Sequence, residues 1–142
     1  MINSLKQLEF KFNAGILVVD NNNRRMVGLN RKFIEIWNFP KKLIASQSEK
    51  QALELASSQL KNPTNFLKEI QEIYIHDSLE VHDTIKLKNG RIFERHTLPQ
   101  YLDGKNVGRI WLFRNMAEFD REHTYETESS NIRFFPRLSK IN

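Results

Sequence analysis

Asp83, Glu94, His96 and Arg109 are the residues whose types suit proton transfer and ion binding, and all four fall in the second half of the chain. A carboxylate pair such as Asp83 and Glu94, if the two share a face, can act as acid and base in an isomerase-like or glycosidase-like site, provided it borders an open cleft. The four histidines, His76, His82, His96 and His123, have no zinc-like spacing. There is no cysteine, which removes thiolate metal sites, cysteine nucleophiles and disulfides. No phosphate loop, nucleophile elbow or kinase signature occurs.

Two hairpins must position these residues. Lys88-Asn89-Gly90-Arg91 and Asp103-Gly104-Lys105-Asn106 supply Asn-Gly and Asp-Gly pairs, which accept the positive φ of tight turns. Strand-like runs flank them from Val81 to Leu87, Ile92 to Leu102 and Val107 to Arg114. A two-residue turn at Asn89-Gly90 pairs Leu87 with Ile92, Ile85 with Glu94 and Asp83 with His96. One face then carries Val81, Asp83, Ile85, Ile92, Glu94 and His96, and across the second hairpin Arg109, Trp111 and Phe113. It is the more apolar face and is expected to meet the helices. The other face carries His82, Phe93, Arg95, Ile110 and Leu112, joined by Leu17 or Val18. That much apolar area requires a cover, from an N-terminal helix or a second subunit. A three-residue bulged turn would flip one strand of this assignment.

Polar groups on the inner face cost roughly 2–7 kcal/mol each if unpaired. Two readings stay open. One is an internal network, Asp83 opposite His96 and Glu94 reaching Arg109 or a backbone donor. The other is the polar rim of a ligand pocket.

Upstream, Leu5, Leu8 and Phe12 have helical spacing and form an amphipathic lead-in over residues 1–12. Gly15 to Asp20 and Arg24 to Leu29 make a first hairpin around Asn21-Asn22-Asn23. Asn30 caps a helix carrying Phe33, Ile34 and Trp37, which Pro40 ends. Ser48 to Gln51 fits a capping box ahead of Leu53, Ala56 and Leu60. Asn62-Pro63 opens a helix with Phe66, Leu67, Ile70, Ile73 and Tyr74 on its apolar face. The order β-β-α-α-α-β-β-β predicts an α+β fold, a five-stranded antiparallel sheet with helices on one face. The domain spans 13–119, and 120–142 form a largely irregular tail.

At 142 residues, 39% hydrophobic and 11% aromatic, the chain suits one domain with a real core. The net charge of +5 comes from scattered pairs, Arg24-Arg25, Lys41-Lys42 and Lys86/Lys88/Arg91. No continuous basic stripe or reading helix is present, so a solvated surface is expected, not a nucleic-acid face. The run Ile16-Leu17-Val18-Val19 is too short to span a bilayer, and the N-terminus lacks a signal-peptide pattern. With no cysteine, the balance leans to the cytoplasm.

Several segments in order resemble a PAS domain, the sensor module of bacterial signalling proteins, over roughly residues 10–120. They are Gly15-Ile16-Leu17-Val18-Val19-Asp20, the asparagine-led helix Asn30–Pro40, the turn Lys88-Asn89-Gly90-Arg91 and the strand Gly108-Arg109-Ile110-Trp111-Leu112-Phe113-Arg114. The resemblance implies a sensory module, not an enzyme, with a small-molecule ligand or a partner held between sheet and helices. Trp37, Phe66, Ile70, Tyr74, Asp83, Glu94, His96, Trp111 and Phe113 would line that space. It implies homodimerisation through Leu5, Leu8, Phe12, Phe93, Ile110 and Leu112, and a histidine kinase, cyclic-nucleotide enzyme or transcription regulator as effector. A haem sensor would need His76 as its ligand, and light-sensing flavin chemistry would need a cysteine, leaving non-covalent flavin. Output would pass through Asn115 and Glu118, where the family usually has Asp-Ile-Thr and glutamate in place of Asn115-Met116-Ala117-Glu118.

Overall fold

The computed structural model describes residues 14–118 and 132–134, with side chains from 14 to 117. A first hairpin, β1 (Gly15–Asp20) and β2 (Met26–Asn30), leads into four helices. These are α1 (Arg31–Trp37), α2 (Lys41–Ser46), α3 (Glu49–Ser58) and α4 (Pro63–Ile75). A meander follows, β3 (Val81–Lys86), β4 (Ile92–Leu102) and β5 (Lys105–Asn115), then a 3₁₀ turn at Met116–Glu118. A short β6 (Ile132–Phe134) pairs with β2. The antiparallel sheet has the order β3-β4-β5-β1-β2-β6. The α+β layout is the expected one. The additions are α2, whose N-cap is Pro40, and β6, within the stretch expected to be irregular.

The caps lie where the sequence places them. Ser48 accepts from the Gln51 N–H and Asn62 from the Asn65 N–H, each at 3.1 Å. Asn30 does more than cap. Its Oδ1 accepts from the Phe33 N–H at 3.0 Å and the Ile16 N–H at 2.8 Å, while its Nδ2 donates to the Ala14 carbonyl at 3.0 Å. One fully buried side chain therefore ties the start of α1 to β1. The approach is close, since a Cβ on Gly15 would lie 2.8 Å from the Phe33 Cα.

The β3–β4 turn differs from expectation by one residue. Lys86 pairs with Ile92, Ile85 with Phe93 and Asp83 with Arg95. The Leu87 N–H donates to the Arg91 carbonyl and the Gly90 N–H to the Leu87 carbonyl, with Gly90 at φ 90°. This is the three-residue turn, and it reverses β4. Phe93, Arg95 and Thr97 face the helices, at 0%, 1% and 0% exposure, while Glu94 and His96 face the other way. A second shift follows the two-residue turn at Asp103-Gly104, where Leu102 pairs with Lys105 but Gln100 with Gly108. The two shifts cancel, so β5 keeps the expected faces. Trp111 and Phe113 join the inner cluster, and Ile110 and Leu112 the outer one.

The inner cluster packs Leu17, Val19, Met26 and Leu29 of β1–β2 against helix residues such as Phe33, Trp37, Ala56, Phe66 and Ile70. Trp37 lies at its centre, edge-on to Phe93 at 5.4 Å and to Phe113 at 5.2 Å between ring centres. The outer cluster holds Ala14, Ile16, Val18, Val27, Ile110 and Leu112, all buried within the single chain. Phe93 is therefore not one of its members, whereas Val18 is. The lead-in residues Leu5, Leu8 and Phe12 lie outside the described residues.

Candidate ligand site

Trp37, Phe66, Ile70, Trp111 and Phe113 come together as expected, around a cavity of about 40 Å³ between sheet and helices. That is room for a few waters, at roughly 10–15 Å³ each, and far below the roughly 300–1,000 Å³ of a typical ligand pocket. With these side chains in place the space fits neither a haem nor a flavin. His76 is the C-cap of α4 and is exposed, so it does not face this space.

A polar chain runs along one wall of the cavity. The Trp111 indole N–H donates to Tyr74 Oη at 3.3 Å, and the Tyr74 hydroxyl donates to Glu49 Oε2. The Arg24 guanidinium lies 4.0 Å above the Tyr74 ring. Burial pushes the Glu49 carboxyl above its ordinary value, against the opposing effects of the Tyr74 hydrogen bond and the Arg24 charge. Burial, followed by the Glu49 charge, pushes the Tyr74 phenol far up as well. Tyr74 thus stays protonated and donates.

Glu49 and Leu53 line a second space as well. It is an outer cleft of about 680 Å³ between the β1–β2 turn and the start of α3. Arg24, Arg25 and Lys50 line it, with Glu54 and with Leu67 of α4. Its walls are tied together. The Met26 N–H donates to the Gln47 carbonyl, and Gln47 Nε2 donates to the Met26 carbonyl, each at 3.0 Å. Asp20 Oδ1 accepts from the N–H groups of Asn23 and Arg25 at 3.2 Å. Arg24 and Gln47 both hold left-handed backbone, at φ 51° and 57°, an arrangement that costs about 1–3 kcal/mol at a non-glycine residue.

The other expected polar residues are engaged elsewhere. Asp83 accepts from Arg95 Nε at 2.8 Å and Nη2 at 2.7 Å, and Arg95 also reaches Glu69 at 2.9 Å. Burial works against the Arg95 charge, but the two carboxylates outweigh it and hold its pKa up. Arg109 is 2% exposed and donates to Thr97 Oγ1 and to the carbonyls of Asp77 and Leu79. It anchors the α4–β3 connection to β5. The pairs Asp83–His96 and Glu94–Arg109 are replaced by these bonds, because β4 is reversed.

Glu94 pairs instead with Arg114 and with His82 Nε2 at 2.5 Å, and His96 Nε2 lies 2.9 Å from Glu80. The rings of His82 and His96 stack at 4.8 Å. Burial would raise the Glu94 carboxyl, but the His82 hydrogen bond and the Arg114 charge outweigh it and hold it below the ordinary value. Asn115 ends β5, and its Oδ1 accepts from the Ala117 N–H at 3.0 Å. An amide oxygen therefore starts the exit turn where the resembling family has an aspartate. The Glu118 side chain lies outside the described residues.

Glu49 and Arg24 escape sequence reasoning. A glutamate just after a capping serine reads as a solvated helix start, and an arginine pair in a turn as surface charge. Only the packing of α4 beneath the turn brings Tyr74 to both. Among the described residues, no cluster of three or more His, Asp or Glu could hold a metal, and no helix is long and apolar enough to cross a membrane.

No family model and no curated protein matches the chain. Solved structures do. The sensor region of a sensor histidine kinase superposes with a TM-score of 0.58 at 14% identity, over 78% of this chain and 42% of that one. The PAS domain of the fruit-fly ELK potassium channel gives 0.54 at 11% identity, over 82% and 97%. The PAS domain of BvgS from Bordetella pertussis gives 0.53 at 16% identity, over 91% and 98%. The chain thus spans less than half of the first of these structures. It has the PAS fold.

Proposed function

We propose that this chain is a sensory signalling module without catalytic activity of its own, working in the cytoplasm as a homodimer. It passes a change in its core to a histidine kinase or transcription regulator. The single observation that carries the reading is the chain of bonds within a PAS fold. Glu49, on the wall of the outer cleft, leads through Tyr74 to Trp111 of β5, and β5 ends at Asn115. The resemblance to the sensor region of a sensor histidine kinase supports the choice of effector. Ile110 and Leu112 remain the described candidates for a dimer contact, although each is buried within the single chain.

Thermal-shift screening of the full chain against metabolites, followed by hydrogen exchange, tests the reading. A stabilising compound should alter exchange in β5 and the Met116–Glu118 turn. Stabilisation with unchanged exchange there would remove the relay.

One observation favours a second reading, a small isomerase-like enzyme. Glu49 is a carboxyl that burial holds above its ordinary value and that borders an open cleft. That reading requires turnover that is lost in Glu49→Gln.

A further inference from the structure

We propose that the outer cleft, not the cavity between sheet and helices, is the ligand site, and that it takes a small organic anion with an apolar body. The inference rests on the sensory reading and names its site and ligand class.

Size favours the cleft, at about 680 Å³ against about 40 Å³ inside. Charge favours an anion. Arg24, Arg25 and Lys50 face the cleft against Glu49 and Glu54, and the Glu49 carboxylate is already bonded by Tyr74. Leu53 and Leu67 offer apolar surface on the α3 and α4 sides, and Leu67 is 40% exposed. A carboxylate or phosphate group would take charge-assisted hydrogen bonds from the arginines, and an aliphatic or aromatic body would lie along the leucines.

The connection to the core is built in. Arg24 lies over the Tyr74 ring, and Tyr74 is the middle member of the Glu49–Tyr74–Trp111 chain. An anion that draws the guanidinium into the cleft lifts it from the ring. The environment of the Trp111 indole N–H then changes although the ligand never touches it. Glu49 and Leu53 belong to both spaces, so a shift of α3 toward the ligand also reshapes the inner cavity.

Benzoate and phenyl phosphate are the probes, with benzylamine as the cationic control, each titrated into the full chain and followed by NMR. The anions are expected to shift the Arg24 and Arg25 side-chain signals and the Trp111 indole signal in parallel, and benzylamine to leave them unmoved. Comparison of the two anions separates carboxylate from phosphate as the preferred head group. Arg24→Gln should weaken anion binding about tenfold, as expected for one lost charge-assisted bond. Lys88→Gln, at the distant β3–β4 turn, should leave it unchanged.

Equal binding of benzylamine, unchanged affinity in Arg24→Gln, or no binding of either anion at millimolar concentration overturns the site. If an uncharged metabolite instead alters β5 exchange, the anion site falls and the sensory reading stands. If the anions bind in the cleft but β5 and Trp111 do not respond, the site stands and the sensory relay falls.

Discussion

Two polar groups on opposite faces of the sheet, the Glu49 chain and the Glu94 cluster, handle burial in opposite ways. On the inner face, Glu49, Tyr74 and Trp111 form a chain with one carboxyl and neutral donors, beside an aromatic core. On the outer face, Glu94 is held between Arg114 and His82, with Glu80 beside His96, all near solvent. Burial dominates at Glu49 and raises it, whereas pairing dominates at Glu94 and lowers it, as it also dominates at Arg95 on the inner face. A carboxyl raised by burial opposes folding once it is ionised, and a paired one supports folding only while it is ionised. The inner chain is therefore poised to change, and the outer cluster mainly holds β3, β4 and β5 together.

The largest difference between the faces should come from packing. Trp37 is 1% exposed and touches Phe66, Phe93 and Phe113. Trp37→Ala should cost about 3–5 kcal/mol in urea unfolding, far more than any single change in the outer ion cluster. An equal loss from a single variant of the outer ion cluster would break the contrast. Next in size is Tyr74→Phe, which leaves the buried Glu49 carboxylate without its donor. It should cost about 1–3 kcal/mol at neutral pH. Glu49 contributes most to stability when protonated, below the ordinary glutamate range, and that contribution is lost as pH rises through its raised value. The Tyr74→Phe deficit should therefore shrink in mild acid, and adding Glu49→Gln should recover part of it. A deficit independent of pH would show that the hydroxyl acts through packing alone.

Helix caps, the first hairpin and the faces of β3 and β5 were legible because each follows from a local pattern. Asn30, Ser48 and Asn62 announce their helices, and alternation sorts Trp111 and Phe113 from Ile110 and Leu112. The faces of β4 were not legible. Lys88-Asn89-Gly90-Arg91 is compatible with turns of different length, and one residue exchanges Phe93 and Arg95 for Glu94 and His96. The pairing preference of Arg95 for Asp83 and Glu69 decides the register only once α4 has docked, which no local pattern contains. Nor does any pattern reveal α2, a helix of six residues, or a glutamate buried by a distant tyrosine. Gly90 is the local price of the observed turn. A Cβ there would meet open space, so Gly90→Ala carries only the strain of φ 90°, about 1–2 kcal/mol. A neutral effect on the melting temperature would argue against the left-handed conformation at Gly90.

The smallest effect expected is the one that tests the sign of the contrast. Glu94→Gln removes the carboxylate between Arg114 and His82, a half-buried group in a salt-screened setting, and should cost less than about 1 kcal/mol at neutral pH. Because pairing lowers the folded-state value of Glu94, its contribution is present above the ordinary glutamate range and is lost as pH falls through the lowered value. The wild-type advantage should therefore fade in acid and also in high salt. Tyr74→Phe likewise narrows its deficit in acid, but through a carboxyl that is raised, so its deficit should close at higher pH than that of Glu94→Gln. Unfolding curves of both variants across the acid range decide the matter. If the two deficits close together, both carboxyls sit in equivalent surroundings, and the difference between the buried inner chain and the paired outer cluster disappears.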